Sequence, residues 1–267
     1  MQAQTDPASY EIAIQRYNKA IKELPTFAQA YNYRGIAYGN TGEIDRAIED
    51  FNKAIQLKEN YAEAYSNRGG VYRLKGEYDR AIKDCNMAIR LDPNLPEAYN
   101  NRGIVYKLKD DIASAIKDYN TTIELDPSFA YPYYNRGIVY YEKQEFDHAI
   151  KDYTKAIELR PDLVHPYNNR GNVYSKKGEY ECAIKDYNAA IERNTDLAEP
   201  YYNRGMVFVL LQEWEKAKED LTTARDKQEN IILEQFRKEY ENVADFEQKH
   251  EIKLPKDLAA MLTPSQA

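Results

Sequence analysis

Tyr31, Tyr65, Tyr99, Tyr133, Tyr167 and Tyr201 stand 34 residues apart, and so do Arg34, Arg68, Arg102, Arg136, Arg170 and Arg204. Gly35, Gly69, Gly103, Gly137, Gly171 and Gly205 keep the same interval, as do Ala47, Ala81, Ala115, Ala149, Ala183 and Ala217. A fixed period of this length means one supersecondary unit copied along the chain, each copy covering the apolar face of the next. Within a copy, Ile44, Ala47, Ile48, Phe51, Ala54 and Ile55 follow the spacing of an amphipathic helix, and Tyr31, Gly35 and Tyr38 do the same upstream. Gly42, Gly76 and Gly178 separate the two helices in three copies, at the place where a residue tolerant of the left-handed conformation ends a helix. Pro93, Pro127 and Pro161 close second helices, while Pro132, Pro166 and Pro200 open first helices, where a missing N–H costs little. Each unit reads as a helical hairpin.

Composition narrows the function classes. Lysine and arginine number 37 against 44 acidic residues, a net charge of −7, so nucleic acid is disfavoured as a main ligand for want of a basic face. The longest apolar run, residues 206–211, is far short of the ~20 residues a membrane-spanning helix needs. Cys85 and Cys182 lie 97 residues apart, with neither a disulfide framework nor a CxxC motif around them. The first residues carry no secretion signal, although a processed or recombinant N-terminus stays open. A soluble chain of the cytoplasm is the expectation. His148, His165 and His250 are scattered outside any metal or nucleophile motif, and no Gly-rich phosphate loop exists. No catalytic residue, metal or cofactor is therefore assigned.

A 34-residue helix-turn-helix with aromatic, glycine, alanine and proline at these intervals resembles the tetratricopeptide repeat family. The units fall at 28–61, 62–95, 96–129, 130–163, 164–197 and 198–231, and Ala13, Tyr17, Ala20 and Pro25 match the second helix of a further half unit. The resemblance implies an all-α, right-handed superhelical solenoid with C-terminal capping helices, divided as 1–27 for the half repeat, 28–231 for the repeats and 232–267 for the cap and tail. It also implies that first helices line a concave surface and that the module binds protein or peptide. This chain departs from the family pattern in having tyrosine for the usual tryptophan at Tyr31 and its equivalents, and arginine for the usual leucine at Arg34 and its equivalents. Asp50, Asp84, Asp118, Asp152, Asp186 and Asp220 repeat at the same interval on second helices, so each arginine is expected to pair inside its own hairpin.

The candidate binding residues are those the framework does not use. Asn67, Asn101, Asn135, Asn169 and Asn203 form an unbroken series on five successive first helices. In the resemblance they correspond to the asparagine ladder of O-linked N-acetylglucosamine transferase, which holds the backbone of an extended polypeptide. A primary amide offers donor and acceptor at once, so it can pair with a peptide unit whatever its side chain. The alternative is that these amides satisfy neighbouring helices. Of the 25 tyrosines, Tyr33, Tyr131, Tyr134, Tyr141 and Tyr202 fall on first helices at places which the resemblance puts on the inner surface. They serve either recognition, as rigid amphipathic contacts, or mutual packing. Gly39 and Gly70 fall on the same side, leaving room for a ligand or reflecting drift. The places where chaperone-type adaptors of the family grip a C-terminal carboxylate hold Asn32, Ile36, Asn67, Glu97 and Asn101, so that specificity is not expected.

Beyond the last repeat, residues 232–246 are expected to form one capping helix and 256–262 a shorter helix able to dock in a neighbouring copy. Two function classes follow. The first is a non-catalytic adaptor with Asn67, Asn101, Asn135, Asn169 and Asn203 on a partner's backbone and Tyr131, Tyr134, Tyr141 and Tyr202 on its side chains. The second is a scaffold assembling copies or partners through its ends and convex surface, with weak homodimerisation through the terminal helices.

Overall fold

A computed structural model describes residues 7–263, and its described residues contain helices and no strand. Helix α1 (Pro7–Glu23) is followed by α2 (Ala28–Asn40) and α3 (Ile44–Leu57), α4 (Ala62–Leu74) and α5 (Tyr78–Leu91), α6 (Pro96–Leu108) and α7 (Ile112–Leu125). Then come α8 (Ala130–Glu142) and α9 (Phe146–Leu159), α10 (Val164–Lys176) and α11 (Tyr180–Arg193), α12 (Ala198–Leu210) and α13 (Trp214–Lys227). Three short helices follow, α14 (Ile231–Phe236), α15 (Val243–His250) and α16 (Lys256–Met261). The chain divides into two compact units, the first ending at Val139 and the second beginning at Tyr140, inside α8. In the first unit α2 packs on α3, α4 on α5 and α6 on α7, with α1 against α2; in the second, α10 packs on α11 and α12 on α13. This is the all-α hairpin-repeat solenoid class that the periodicity predicts.

The hairpin turns show why the repeat keeps its pitch. The N–H of Glu43, Glu77, Asp111, Glu145, Glu179 and Glu213 each bonds the carbonyl five residues earlier, at 2.8–2.9 Å, closing a Schellman turn. That turn requires a left-handed residue. Gly42, Gly76 and Gly178 supply it at φ +82°, +80° and +76°, as their spacing predicts. In the other three hairpins Asp110, Gln144 and Gln212 adopt φ of +62°, +59° and +58°, a conformation that L side chains take at a cost. The turn is thus imposed by packing where glycine is absent.

Packing between the paired helices rests on two small columns. Ala47, Ala81, Ala115, Ala149, Ala183 and Ala217 are each 0% exposed. Glycine on the first helix admits the ring of the second: a Cβ on Gly103 would sit 2.9 Å from the Tyr119 ring, inside any real contact.

The six arginines are explained by a two-sided contact. Nε and Nη2 of Arg34, Arg68, Arg102, Arg170 and Arg204 donate to both oxygens of Asp50, Asp84, Asp118, Asp186 and Asp220, 16 residues ahead, at 2.6–2.8 Å. This is the intra-hairpin pairing expected from the aspartate column. The remaining nitrogen, Nη1, reaches 16 residues back to the preceding second helix. It meets Asn18, Asn52 and Asn86 at 2.6 Å from Arg34, Arg68 and Arg102, and Thr154 at 2.9 Å from Arg170. Arg136 uses Asn120 at 2.5 Å, and Arg204 uses Asn188. One guanidinium therefore closes a hairpin and ties it to its neighbour, a geometry that a planar five-donor fork can make and an ammonium cannot.

The C-terminal end departs from the expected single cap over 232–246. The first cap helix starts at Ile231 and stops at Phe236, because Asn242 caps a new helix by accepting the Asp245 N–H at 3.0 Å. The spacing leaves residues 256–262 able to dock in a neighbouring copy. They are instead used within the chain: Leu254, Leu258 and Leu262 bury themselves with Ile231, Phe236 and Phe246 against α12 and α13, and Lys218 on α13 holds Asp257 at 2.5 Å.

In denaturant titrations, Asp118→Ala should cost about 3 kcal/mol because it strands a half-buried guanidinium. Arg102 and Asp118 should couple in a double-mutant cycle more strongly than Arg102 and Asn86, whose bond is worth only ~1 kcal/mol. Gln144→Gly should raise stability by about 0.5–1 kcal/mol by relieving the left-handed turn; an unchanged or lower midpoint would mean that the turn is unstrained.

Candidate functional site

First helices lie side by side within each unit, α2 by α4 and α4 by α6 in the first, α10 by α12 in the second. Repetition of one hairpin therefore lines up whatever residue follows the structural columns on those helices. The asparagines do line up, and their amide nitrogens are used. Nδ2 of Asn67 donates to Asn32 Oδ1 at 3.1 Å, Asn101 to the backbone oxygen and hydroxyl of Ser66 at 3.2 Å, and Asn135 to Asn100 Oδ1 at 3.1 Å. In the second unit Asn203 donates to Asn168 Oδ1 at 3.0 Å. The alternative reading of the sequence, satisfaction by a neighbouring helix, is thus met for the nitrogens. It is not met for the oxygens: Oδ1 of Asn67, Asn101, Asn135 and Asn203 accepts no bond, and a second N–H remains on the nitrogens of Asn67, Asn135 and Asn203. Asn169, on α10, is half-buried like the others.

The tyrosines divide. Tyr33 is 50% exposed and stacks on Tyr17 of α1, ring centroids 5.8 Å apart. Tyr131 and Tyr134 are half-buried on α8, and Tyr131 meets the Phe129 ring edge-on at 6.1 Å. Tyr141 tilts against Phe146. Tyr202 corrects the expectation of an open inner surface, being only 7% exposed, because the C-terminal helices fold over α12 and take its ring into their core. A Cβ on Gly39 or Gly70 would meet only ordinary contacts at 3.5 and 3.6 Å, so no close approach demands glycine there. On α4, Arg73 Nε is buried without a partner, the single such side-chain atom among the described residues, and burial lowers the pKa of its guanidinium.

Within the second unit the C-terminal segment and the inner sides of α10 and α12 enclose a cavity of about 630 Å³. Tyr141, Tyr202 and Asn203, three residues picked out in the sequence, line it together with Lys176, Glu199, Lys238, Glu239, Tyr240, Lys249 and His250. Those from 238 onward have no counterpart in the repeats, so periodicity could not find them. Lys176 on α10 holds Glu239 at 2.7 Å, pinning the segment down. The Tyr240 hydroxyl and His250 Nε2 share a hydrogen bond at 2.9 Å, and burial pushes that hydroxyl up to about 12. Burial, and then the charge of Lys249, lower the pKa of His250. Cys85 is buried and its thiol is likewise pushed up to about 12, while Cys182 is exposed. Among the described residues no group of His, Cys, Asp or Glu could hold a metal, and no helix is long and apolar enough to cross a membrane.

Family comparison agrees with this geometry. The tetratricopeptide repeat model matches residues 28–61 and 62–95, and the related TPR repeat model matches 105–144, 139–178 and 171–212. The chain belongs to the tetratricopeptide repeat family. Repeats of this kind are protein–protein interaction modules on a fold that is generally a non-enzymatic scaffold. Among solved structures, a chain of the APC/C hetero-tetramer Cut9–Hcn1 matches with a TM-score of 0.75 at 20% identity, over 83% of this chain and 44% of that one. This chain therefore spans less than half of that relative. PilF of Pseudomonas aeruginosa matches with a TM-score of 0.68 at 17% identity, over 75% of this chain and 91% of its own. At these identities both likenesses are of fold. MamA matches with a TM-score of 0.51 at 28% identity, over 63% of this chain and 92% of its own. No curated protein matches.

The cavity wall carries a pH dependence. The charged groups facing His250 are Lys249 on its own helix, Lys176 on α10 and Glu239 between α14 and α15, and their balance with burial favours the neutral ring. With a folded pKa below the unfolded value near 6.5, the histidine contributes fully above that value and less as pH falls through it. Hydrogen exchange corrected for intrinsic rates should therefore show residues 231–263 opening more readily at about pH 5 than at about pH 7. His250→Phe should remove the difference, and exchange in α3–α7 should not share it.

Proposed function

We propose that this repeat module is a non-catalytic adaptor that holds an extended polypeptide along its first helices. Asn67, Asn101, Asn135, Asn169 and Asn203 bond the partner's backbone, and Tyr131, Tyr134 and Tyr141, with the hydroxyl of Tyr202, contact its side chains. The observation that carries this reading is the half-used amide. In Asn67, Asn135 and Asn203 the nitrogen bond to the preceding first helix orients the side chain and leaves an oxygen and an N–H unspent, one complement to each half of a peptide unit. Neighbouring helices lie ~8–10 Å apart and an extended chain advances ~3.3 Å per residue, so a rung meets about every third residue. Each bond contributes only ~0.5–1.5 kcal/mol net, so several rungs and the aromatic contacts act together, and micromolar affinity follows.

The second reading, a scaffold that self-associates through its ends, is now supported at one end alone. The C-terminal helices are spent on the chain's own core, whereas near the start Ile12 and Tyr33 are each 50% exposed. Self-association through α1 predicts a dimer in light scattering that Ile12→Glu abolishes. The adaptor reading predicts that alanine at Asn101, Asn135 and Asn169 together weakens capture of the native partner by about tenfold or more, with the thermal midpoint shifted by only a few degrees. Unchanged capture would transfer the function to the ends and outer face.

A further inference from the structure

The cavity of the second unit has chemistry that the amide row lacks. Tyr202 is more than nine-tenths buried and lines the cavity, yet its hydroxyl makes no hydrogen bond to protein. Burial keeps that hydroxyl protonated by raising its pKa, so it is a donor without an acceptor. Tyr141, also without a hydrogen bond of its own, faces the same space, and burial raises its pKa too. Two lysines complete the set. Lys238 meets only the neutral amide of Gln235 at 3.0 Å, and Lys249 lies over the Tyr240 ring at 4.9 Å, so neither ammonium has a carboxylate. Lys176 does have one, Glu239, delivered from the C-terminal segment at 2.7 Å and followed directly by the aromatic Tyr240. Lys177 is engaged elsewhere by Asp147 and Glu179. Glu199 is the one carboxylate on the wall without an ion pair. A cavity of about 630 Å³ lies within the usual range of ligand sites, ~300–1,000 Å³.

We propose that this cavity receives an acidic side chain of the bound polypeptide, its carboxylate taken by Lys238, Lys249 and the Tyr202 hydroxyl, with the chain's own Glu239–Tyr240 pair occupying part of the site as an internal mimic. The inference rests on the peptide-binding reading and adds a partner class to it: an extended segment bearing aspartate or glutamate beside an aromatic residue. Lysines outnumber carboxylates on the cavity wall, and charge-assisted bonds to a carboxylate are about twice as strong as neutral ones, which is the basis of the selectivity. Glu239 competes for Lys176, so the site is partly closed until a ligand carboxylate displaces it.

Fluorescence polarisation on the full chain tests this with two end-blocked, labelled probes, Gly-Ser-Glu-Tyr-Glu-Ser-Gly and its counterpart with glutamine for both glutamates. The acidic probe should bind about tenfold more tightly, and the preference should fall as salt rises. Lys238→Gln with Lys249→Gln should abolish the preference, and Tyr202→Phe, which keeps the packed ring, should weaken the acidic probe roughly threefold. Glu239→Gln and Glu199→Gln should each tighten the acidic probe and leave the glutamine probe unchanged. Equal affinity for both probes, no binding of the acidic probe, or a preference that survives the double lysine substitution overturns the proposal. Displacement by free glutamate or inorganic phosphate at the same concentration as unlabelled acidic probe also overturns it, by assigning the cavity to small anions. Asn67→Ala with Asn101→Ala, in the other unit, separates the two readings. If it weakens both probes alike while the acidic preference is absent, the amide row stands and the acidic cavity falls.

Discussion

The guanidinium of the repeated arginine is the contact on which the rest of the structure depends. It stands on the first helix beside the small glycine column, where a charge is costly unless its donors are all answered. Two are answered by an aspartate 16 residues ahead and a third by an asparagine or threonine 16 residues behind, so one residue fixes both the closure of its hairpin and the seating of that hairpin on the last. An apolar leucine could pack in this position, but could not specify register on two sides. Arg68, Arg102, Arg136, Arg170 and Arg204 each directly follow an amide of the row, whereas Tyr33 precedes Arg34, so in five copies the arginine that seats a first helix also fixes the backbone that carries its amide.

On the proposed function, that link is how a structural repeat would become a binding surface. A row of amides free to rotate would give up much of its bond energy to ordering, whereas amides already bonded through one hydrogen to the preceding helix lose little on binding. The proposed function then depends on what the nitrogens leave unused. In the same proposal the C-terminal segment would add selectivity of another kind. It buries the Tyr202 ring, leaves its hydroxyl on the cavity wall, and brings Lys238 and Lys249 to a wall that the repeats alone leave open. It also lays its own Glu239 on Lys176.

Periodicity made the repeats legible because packing between copies demands the same small and aromatic residues at each step. The hairpin boundaries, the alanine and glycine columns and the arginine–aspartate pairs are all legible in the 34-residue spacing. The asparagines at 18, 52, 86, 120 and 188 were equally periodic, yet their role was hidden, since a surface asparagine on a helix has no pattern that marks it as an acceptor for the next hairpin. Asp110, Gln144 and Gln212 were hidden for a different reason: tertiary packing imposes a left-handed turn on residues whose own preference is against it. The C-terminal region has no repeat to average over. There a single cap at Asn242 broke the expected helix, and the burial of Tyr202 followed from a fold-back that no spacing on α12 records.

The central claim is that the amide-bearing side of the first helices, and not the exposed side of the second helices, holds a partner chain. A photo-crosslinking amino acid placed at Asn101, or at exposed Lys83 on α5 as the outer control, tests it in native extract. A discrete polypeptide adduct is expected from position 101, lost in competition with unlabelled partner, and none from position 83. Adducts from position 83 with none from position 101 would contradict it.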